Sequence, residues 1–406
     1  MLAPGAAGGT QFGVLTAQVL TEPVANLSPK RLIVCAKAKV HSHQHTKRLL
    51  VSLSFRCSLS GYSTAKEQRK GDLGRQTTAL AATGADTLTR VRVLVVTNFV
   101  PDAAAPQRGR WVRDQVDEIR KRGIEVDVFS FPPGRGEYIP ATRRLRALLR
   151  RQRFDLVHAH YGLPGWCARL AGARPLLVTF HGTDVRHPVV GPLSRRLAWR
   201  ADLVATVSRA LYEPEDGRPG LPRVPGAAVL PCGPDLARFG PIARAEARRS
   251  LGLDPEAPFL FFPANAGRPE KRHDRAAELA AACGAELRSG GSIEPEQMPL
   301  WLNAANAVLV TSDYEGFGMA AVEALACEVP VLSTPVGIAP YALRGIDGCL
   351  CAPFEVAAWS AVARRHLDLP DPRAAGSARA ESLSAARMAE RVIEAYRDVT
   401  AIPVLD

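Results

Sequence analysis

A chain of 406 residues is long enough for two ordinary domains, and its 47% apolar and 23% charged residues are those of a globular protein, not a fibrous or disordered one. The formal charge of +12 invites a nucleic-acid reading, but residues 1–90 hold twelve Lys/Arg against four Asp/Glu, a net of +8, leaving +4 for the other 316 residues. The body shows no RNP pattern, helix-turn-helix signal or basic-aromatic interleaving, so no nucleic-acid partner is expected.

No stretch approaches the run of about 20 apolar residues that spans a bilayer. The N-terminus does not read as a signal peptide, because no Lys or Arg precedes Lys30, and Pro4 and Gly8-Gly9 interrupt the apolar residues. The expected location is cytoplasmic, with peripheral contact at the inner face of the membrane weighed below. The eight cysteines include no CxxC pair, and Cys349-Leu350-Cys351 is the one close spacing. Free thiols are expected, not a disulfide framework or a zinc knuckle.

Residues 1–89 mix short apolar patches (Leu32–Val34, Leu49–Leu53) with Gly, Ser, Thr, Lys and His and sustain no period of 3.6 or 2. They are expected to be a disordered basic extension, either a dispensable tail or a start-site artefact. His41, His43 and His45 alternate, but no carboxylate or Cys lies nearby, and a solvated polar tract is the simpler reading than a metal site.

From Arg92 the pattern changes. Val93–Val96 is a continuous apolar run of the kind found in buried parallel strands. A loop to Gly109, a helix from Trp111 to Lys121 stopped by Gly123, and a strand Val126–Phe129 follow. Then come a basic helix (Thr142–Gln152), a strand Leu156–Ala159, a helix near Gly165–Ala171, and strands Leu176–Phe180, Leu203–Val207 and Ala227–Leu230. The Pro/Gly-rich stretch Pro231–Gly240 reads as a linker. Beyond it stand strand Phe259–Phe262, helix His273–Cys283, a short element at Ala285–Leu287, helix Glu296–Asn303, strand Ala307–Thr311, helix Met319–Cys327 and strand Val329–Ser333. An amphipathic segment, Ser382–Arg397, closes the series. Alternating strands and helices predict an α/β protein of two doubly wound parallel sheets, over 90–235 and 236–375, with a closing helix and tail at 376–406. Ligands of such folds sit beyond the carboxyl ends of the strands, here in the cleft between the halves.

Ser312–Cys327 is the most informative stretch. A buried strand runs into Glu315, Gly316 and Gly318 allow a tight turn about Phe317, and a helix starts at about Gly318–Met319. The free N–H groups of a helix start, with the macrodipole, form a site for a phosphate anion. Glu323 lies about 7.5 Å up that helix at 1.5 Å per residue, and Glu315 lies on the other side of the turn. One carboxylate can meet sugar hydroxyls and the other a ribose, with a diphosphate between them.

Asn265–Arg272 follows the first strand of the second half and sets Arg268 and Lys271 three residues apart at its carboxyl end. Two cations there can stabilise the charge on a departing diphosphate. The alternative is that Arg268, Lys271, Arg272 and Arg275 form a solvated basic helix face. In the first half, Thr179–Asp184 closes a strand with His181-Gly182. His181 stands either as a hydrogen-bond partner of donor sugar or acceptor, or as a structural residue. His158 and His160 read as structural.

Taken together, Glu315-x7-Glu323, Gly267-Arg268-x-x-Lys271 and His181-Gly182-x-Asp184 resemble the family 4 retaining glycosyltransferases, and Val91–Val96 with Gln107–Gln115 looks like their opening strand and glycine-containing loop. The likeness spans about residues 91–400. It implies a GT-B fold of two Rossmann-like domains facing a central cleft, with Ser382–Arg397 as the helix that crosses back to the first. It implies transfer, with retention, of a hexose-type sugar from a nucleotide diphosphate to a glycan or lipid-linked acceptor in polysaccharide or envelope glycan synthesis. By the same resemblance Glu315 and His181 act at the donor sugar. Arg268 and Lys271 hold the diphosphate beside Gly316, Phe317, Gly318 and Met319, Glu323 binds the ribose, and Gly109 and Asp184 lie on the acceptor side. No cofactor beyond the nucleotide sugar is implied, and no metal, since the Asp-x-Asp motif of GT-A enzymes is absent. Three departures stand out: Pro231-Cys232-Gly233 replaces Pro-Asn-Gly, Glu328 stands where a glycine commonly follows Ala-Cys, and the stretch Glu286–Met298 is short.

Other readings share these residues. A nucleotide-sugar 2-epimerase or phosphorylase would keep the fold. Gly316–Ala321 fits the GxGxxA of an NAD(P)-dependent oxidoreductase, although the next strand ends in Ser333-Thr334-Pro335 with no Asp or Glu. A non-enzymatic binder acting through its basic tail is the third alternative. The helix Thr142–Gln152 carries Arg143, Arg144, Arg146, Arg150 and Arg151 beside Leu145, Leu148 and Leu149. It reads either as a membrane-surface helix or as an amphipathic helix with a solvated Arg face.

Overall fold

The structure, a computed structural model, describes residues 37–40, 51–54, 91–99, 109–213, 217 and 219–400. The chain divides into two compact units, residues 1–73 and 74–406. In the first, β1 (Lys37–Val40) and β2 (Val51–Ser54) pair antiparallel. The other expectations for 1–89, His41, His43 and His45 included, lie outside the described residues, as does Gln107.

In the second unit the run at Val93 becomes β3 (Arg92–Thr97), followed by α1 (Arg110–Lys121), β4 (Glu125–Ser130), α2 (Tyr138–Arg151), β5 (Leu156–His160) and α3 (Gly162–Ala171). Next are β6 (Leu176–Phe180), α4 (Thr183–Arg186), α5 (Val190–Ala198), β7 (Leu203–Thr206) and β8 (Ala228–Val229). These strands form one parallel sheet in the order β4-β3-β5-β6-β7-β8. Every residue of β5 and β6 is buried, as central strands covered on both faces require. The helix α2 starts four residues before the predicted Thr142, because Pro140 falls in its first turn, where a missing N–H costs nothing.

The second half repeats the plan. It runs α6 (Arg244–Ser250), β9 (Phe259–Phe262), α7 (His273–Cys283), β10 (Glu286–Ser289), α8 (Met298–Ala304) and β11 (Ala307–Val310). Then follow α9 (Met319–Ala326), β12 (Val331–Ser333), α10 (Ala339–Ala342), β13 (Leu350–Cys351) and α11 (Val356–Leu367). Its parallel sheet has the order β10-β9-β11-β12-β13. Glu328, the residue in place of the glycine, has φ +57°, the left-handed region that favours glycine, and its carboxylate accepts a hydrogen bond from Ser377 Oγ at 2.9 Å.

After α12 (Ser377–Ser382), α13 (Ala385–Thr400) returns to the first half. Its Met388, Ala389, Val392 and Tyr396 share a core with Val112, Val116 and Ile119 of α1. The Tyr396 hydroxyl lies 2.8 Å from His158 Nδ1, and His158 Nε2 lies 2.8 Å from Thr179 Oγ1. His158 is thus a structural residue that ties the closing helix to β5 and β6. No helix among the described residues is long and apolar enough to cross a membrane. Tyr396→Phe leaves the buried His158 Nδ1 without its partner, and we expect a loss of about 1–3 kcal/mol in denaturant unfolding. An unchanged midpoint would show that this bond does not hold α13 down.

Candidate active site

A cavity of about 720 Å³ lies between the two halves, beyond the carboxyl ends of β6 and β7 on one side and of β9 and β11 on the other. The halves meet there through two glycines. A Cβ on Gly316 would stand 1.7 Å from the His181 carbonyl oxygen, and one on Gly182 would stand 2.7 Å from Gly316 Cα. Ser208 Oγ, just past β7, donates to the Gly316 carbonyl at 2.5 Å. The turn after β11 therefore rests directly on the His181-Gly182 turn after β6. Phe317 is buried beneath it, and Gly318, at φ +95°, starts α9 so that Met319 and Ala320 border the cavity.

The basic stretch after β9 is divided between two tasks. Arg268 and Lys271 line the cavity. Arg272 pairs with Asp274 at 2.6 Å and Asp313 at 3.1 Å, and Arg275 pairs with Asp313 at 2.9 Å, so these two brace the loop instead. Thr311 Oγ1 donates toward the Lys271 and Arg272 carbonyls at 3.1 and 2.9 Å, and Asp313 N donates to the Glu270 carbonyl at 2.9 Å. The end of β11 thus sets the position of the cationic loop. Lys271 Nζ lies 2.5 Å from Glu315 Oε1, which also accepts from Ser312 Oγ at 2.7 Å. Arg268 pairs with Glu270 at 2.5 Å but stays half exposed.

His181 is enclosed. Its Nε2 lies 3.0 Å from His160 Nδ1, its ring stacks on Tyr161 with centroids 4.5 Å apart, and Trp111 stands 6.1 Å away. Burial drives its pKa well below the ordinary value, with the neighbouring His160 adding to the effect, so the ring is neutral at physiological pH. Asp184 does not border the cavity. Its carboxylate accepts from the backbone N–H groups of His181 (3.0 Å), Gly182 (2.9 Å) and Gly162 (3.1 Å), joining the turn after β6 to the start of α3. Burial pushes its pKa up to about 6 against those three donors. Gly109 caps α1 in the left-handed conformation against Phe99, directly before the cavity-lining Arg110 and Trp111.

At the other end of the cavity Glu323 projects from α9. Burial raises its pKa to about 7, opposed by Arg238 and Arg110 and reinforced by Asp114. Arg110 reaches across the cleft to Glu296 at 2.8 Å, and Arg238 donates to the Pro295 carbonyl at 2.8 Å. Ile293, Pro295 and Met298 supply an apolar wall nearby. Sequence reasoning missed Arg110, Asp114, Ser208, Arg238 and Ser312. They are isolated residues in loops and helix starts, with no spacing that announces them.

Residues 85–238 match the family described as Glycosyltransferase Family 4, and residues 266–382 match Glycosyl transferases group 1. A D-inositol 3-phosphate glycosyltransferase of Actinosynnema mirum is 31% identical over 316 residues, covering 61% of this chain and 73% of that protein. A protein of the same name from Thermobispora bispora is 30% identical over 342 residues, covering 68% and 78%. The chain belongs to the family 4 glycosyltransferases. It is a retaining glycosyltransferase of GT-B architecture that takes a nucleotide-sugar donor, and nothing favours the epimerase, phosphorylase or oxidoreductase readings. The fold is shared with sucrose-phosphate synthase from Thermosynechococcus elongatus (TM-score 0.57, 19% identity, 77% of this chain and 100% of that one). It is shared too with HepE from Anabaena in complex with UDP and glucose (TM-score 0.58, 17% identity, 76% and 100%).

In this family 4 enzyme Gly316→Ala would place a methyl group inside the His181 carbonyl. We expect a folded protein, by circular dichroism, that has lost at least tenfold in turnover because the halves cannot close. Wild-type turnover in this variant would mean that the contact is not needed for activity.

Proposed function

We propose that an extended nucleotide sugar lies along the wall formed by Lys271, Glu315, the start of α9 and Glu323. The observation that carries this reading is the order of groups on that wall: a partly buried Lys271–Glu315 pair, then free helix N–H groups, then a carboxylate beside an apolar recess. The diphosphate sits at Arg268, Lys271 and the Gly318–Met319 amides, where cationic charge and the helix dipole coincide. Glu323 accepts hydrogen bonds from the ribose, and the hexose-type sugar lies between Glu315 and His181. The acceptor hydroxyl approaches from the first half, past the turns shaped by Gly109 and Asp184. Its oxygen bonds to the anomeric carbon on the face the diphosphate leaves, and the departing phosphate oxygen takes its proton. The bond to the diphosphate breaks through an oxocarbenium-like state, so no enzymic nucleophile is needed.

The acceptor is a hydroxyl compound of the glycan or lipid-linked class, as in polysaccharide or envelope synthesis. The relatives' name adds a polyol phosphate to the acceptors worth testing. Nucleoside diphosphate release should be measured with a panel of nucleotide sugars and these acceptors, and the anomeric configuration of the product read by NMR. Retention is expected, and Lys271→Ala should lower kcat by about 10²–10³-fold, the usual effect of removing one charge-stabilising donor. Wild-type kcat in that variant would overturn the placement of the leaving group.

The enzyme also works against an anionic membrane surface, at the face formed by α2, α3 and α5. In α2, Leu145 is buried and Leu148 and Leu149 are turned toward the core, so the exposed arginines are Arg143, Arg144, Arg146, Arg150 and Arg151, with Ile139 at one end. Leu170 on α3 and Trp199 just past α5 stand exposed, an aliphatic and an aromatic anchor beside the arginines. Vesicles containing phosphatidylglycerol should co-sediment the protein at low salt, and the triple change Arg143→Glu, Arg144→Glu, Arg150→Glu should abolish this. Equal binding to neutral vesicles, or no effect of the reversal, would refute the contact.

A further inference from the structure

His160 lies behind His181 and has no task in the transfer as derived so far. It is wholly buried, its Nδ1 is 3.0 Å from His181 Nε2, and its own Nε2 is buried with no hydrogen-bond partner. Burial pushes its pKa down to about 3, so it carries one ring proton, as does the neutral His181. The single bond between the rings can then be made in two ways. If His181 donated from Nε2, the one proton of His160 would sit on its Nε2, a buried N–H with no acceptor. If His160 donates from Nδ1, only a lone pair is left unmatched. Orphaned buried N–H groups are the rarer of the two in folded proteins.

We infer that His160 is a positioning residue, which donates from Nδ1 to His181 Nε2 and so holds His181 as the tautomer protonated on Nδ1. His181 borders the cavity, and among the described residues no hydrogen bond is made to its Nδ1. The ring therefore presents a hydrogen-bond donor to the ligand, selecting an oxygen lone pair such as a sugar hydroxyl. That last step rests on the glycosyl-transfer reading above; the tautomer does not. Ring rotation is blocked by Tyr161 stacked on His181 and by His158, whose ring centroid lies 4.3 Å from that of His160. The tautomer is thus set by a bond that the substrate does not touch.

The test is long-range ¹H–¹⁵N NMR of the full chain labelled at histidine, first without substrate. A proton on His181 Nδ1 and a bare Nε2 are expected. The reverse pattern in the wild type overturns the inference whether or not any variant folds. His160→Asp offers only acceptor oxygens, so it should draw the His181 proton to Nε2 and lower kcat by about 10–100-fold with little change in donor KM. His160→Asn keeps an amide N–H near the lost Nδ1–H and should retain the His181 pattern and most of kcat. Equal losses in the two variants with an unchanged His181 pattern would reduce His160 to packing and overturn the assignment. An Nδ1–H tautomer in a protein that turns over no nucleotide sugar would support the His160 assignment and count against the transfer reading.

Discussion

Two backbones cannot approach to van der Waals contact if either carries a Cβ at the crossing point. In this enzyme the crossing point is Gly182 against Gly316, and the whole site is built around it. The contact brings the end of β6, which carries His181, against the end of β11, which carries Glu315 and leads into α9. Ser208 adds a hydrogen bond to the same Gly316 carbonyl from a third strand. From this one point the cavity opens toward Lys271 and Glu315 and toward Glu323, so the separation of the groups depends on how closely the two glycines sit. The closing helix α13 supports the arrangement from behind, since Tyr396 reaches His158 on the strand that also carries His160.

The electrostatics of the site are arranged as exchanges. Lys271 and Arg268 each hold a carboxylate of their own, Glu315 and Glu270, at 2.5 Å. A lone, partly buried ammonium carries a desolvation cost, which the pair with Glu315 offsets. An incoming diphosphate brings more negative charge than either carboxylate and can share the cations without leaving Glu315 stranded, because Ser312 still donates to it. His181 is held neutral by burial, so it adds no positive charge to the cavity wall.

Much of this was legible in the residues. Continuous apolar runs such as Phe259–Phe262 and Leu176–Phe180 became strands with unchanged limits, because strands buried on both faces need such runs. The predicted helix Met319–Cys327 ends one residue earlier, and the turn before it is the tight one that its glycines suggest. Other elements were silent. The short, Arg-rich α6 and the Ala-rich α11 lack a clear periodic signal, and α11 is defined by Glu355, whose carboxylate caps the N–H groups of Ala357 and Ala358. Asp184 could be seen to stand in the His181 turn, but not that its charge would be absorbed by three backbone N–H groups from two elements. Arg110 pairs across the cleft with Glu296, and Arg238 reaches 57 positions along the chain to the Pro295 carbonyl; local spacing reveals neither partner. Burial of Leu145 in α2 likewise depended on which face met the sheet.

The most direct measurement is calorimetric titration of UDP, GDP and ADP into the wild type and Glu323→Ala between pH 6 and 8. One nucleotide is expected to bind, and the substitution to weaken it at least tenfold, or about 1.4 kcal/mol. Because the Glu323 carboxyl is raised to about 7, its ionised, ribose-accepting form is lost as pH falls, and wild-type affinity should decline below pH 7. The alanine variant should lose that pH dependence. Binding of none of the three, or equal affinity and equal pH dependence in the two proteins, would contradict the placement of the nucleotide along α9.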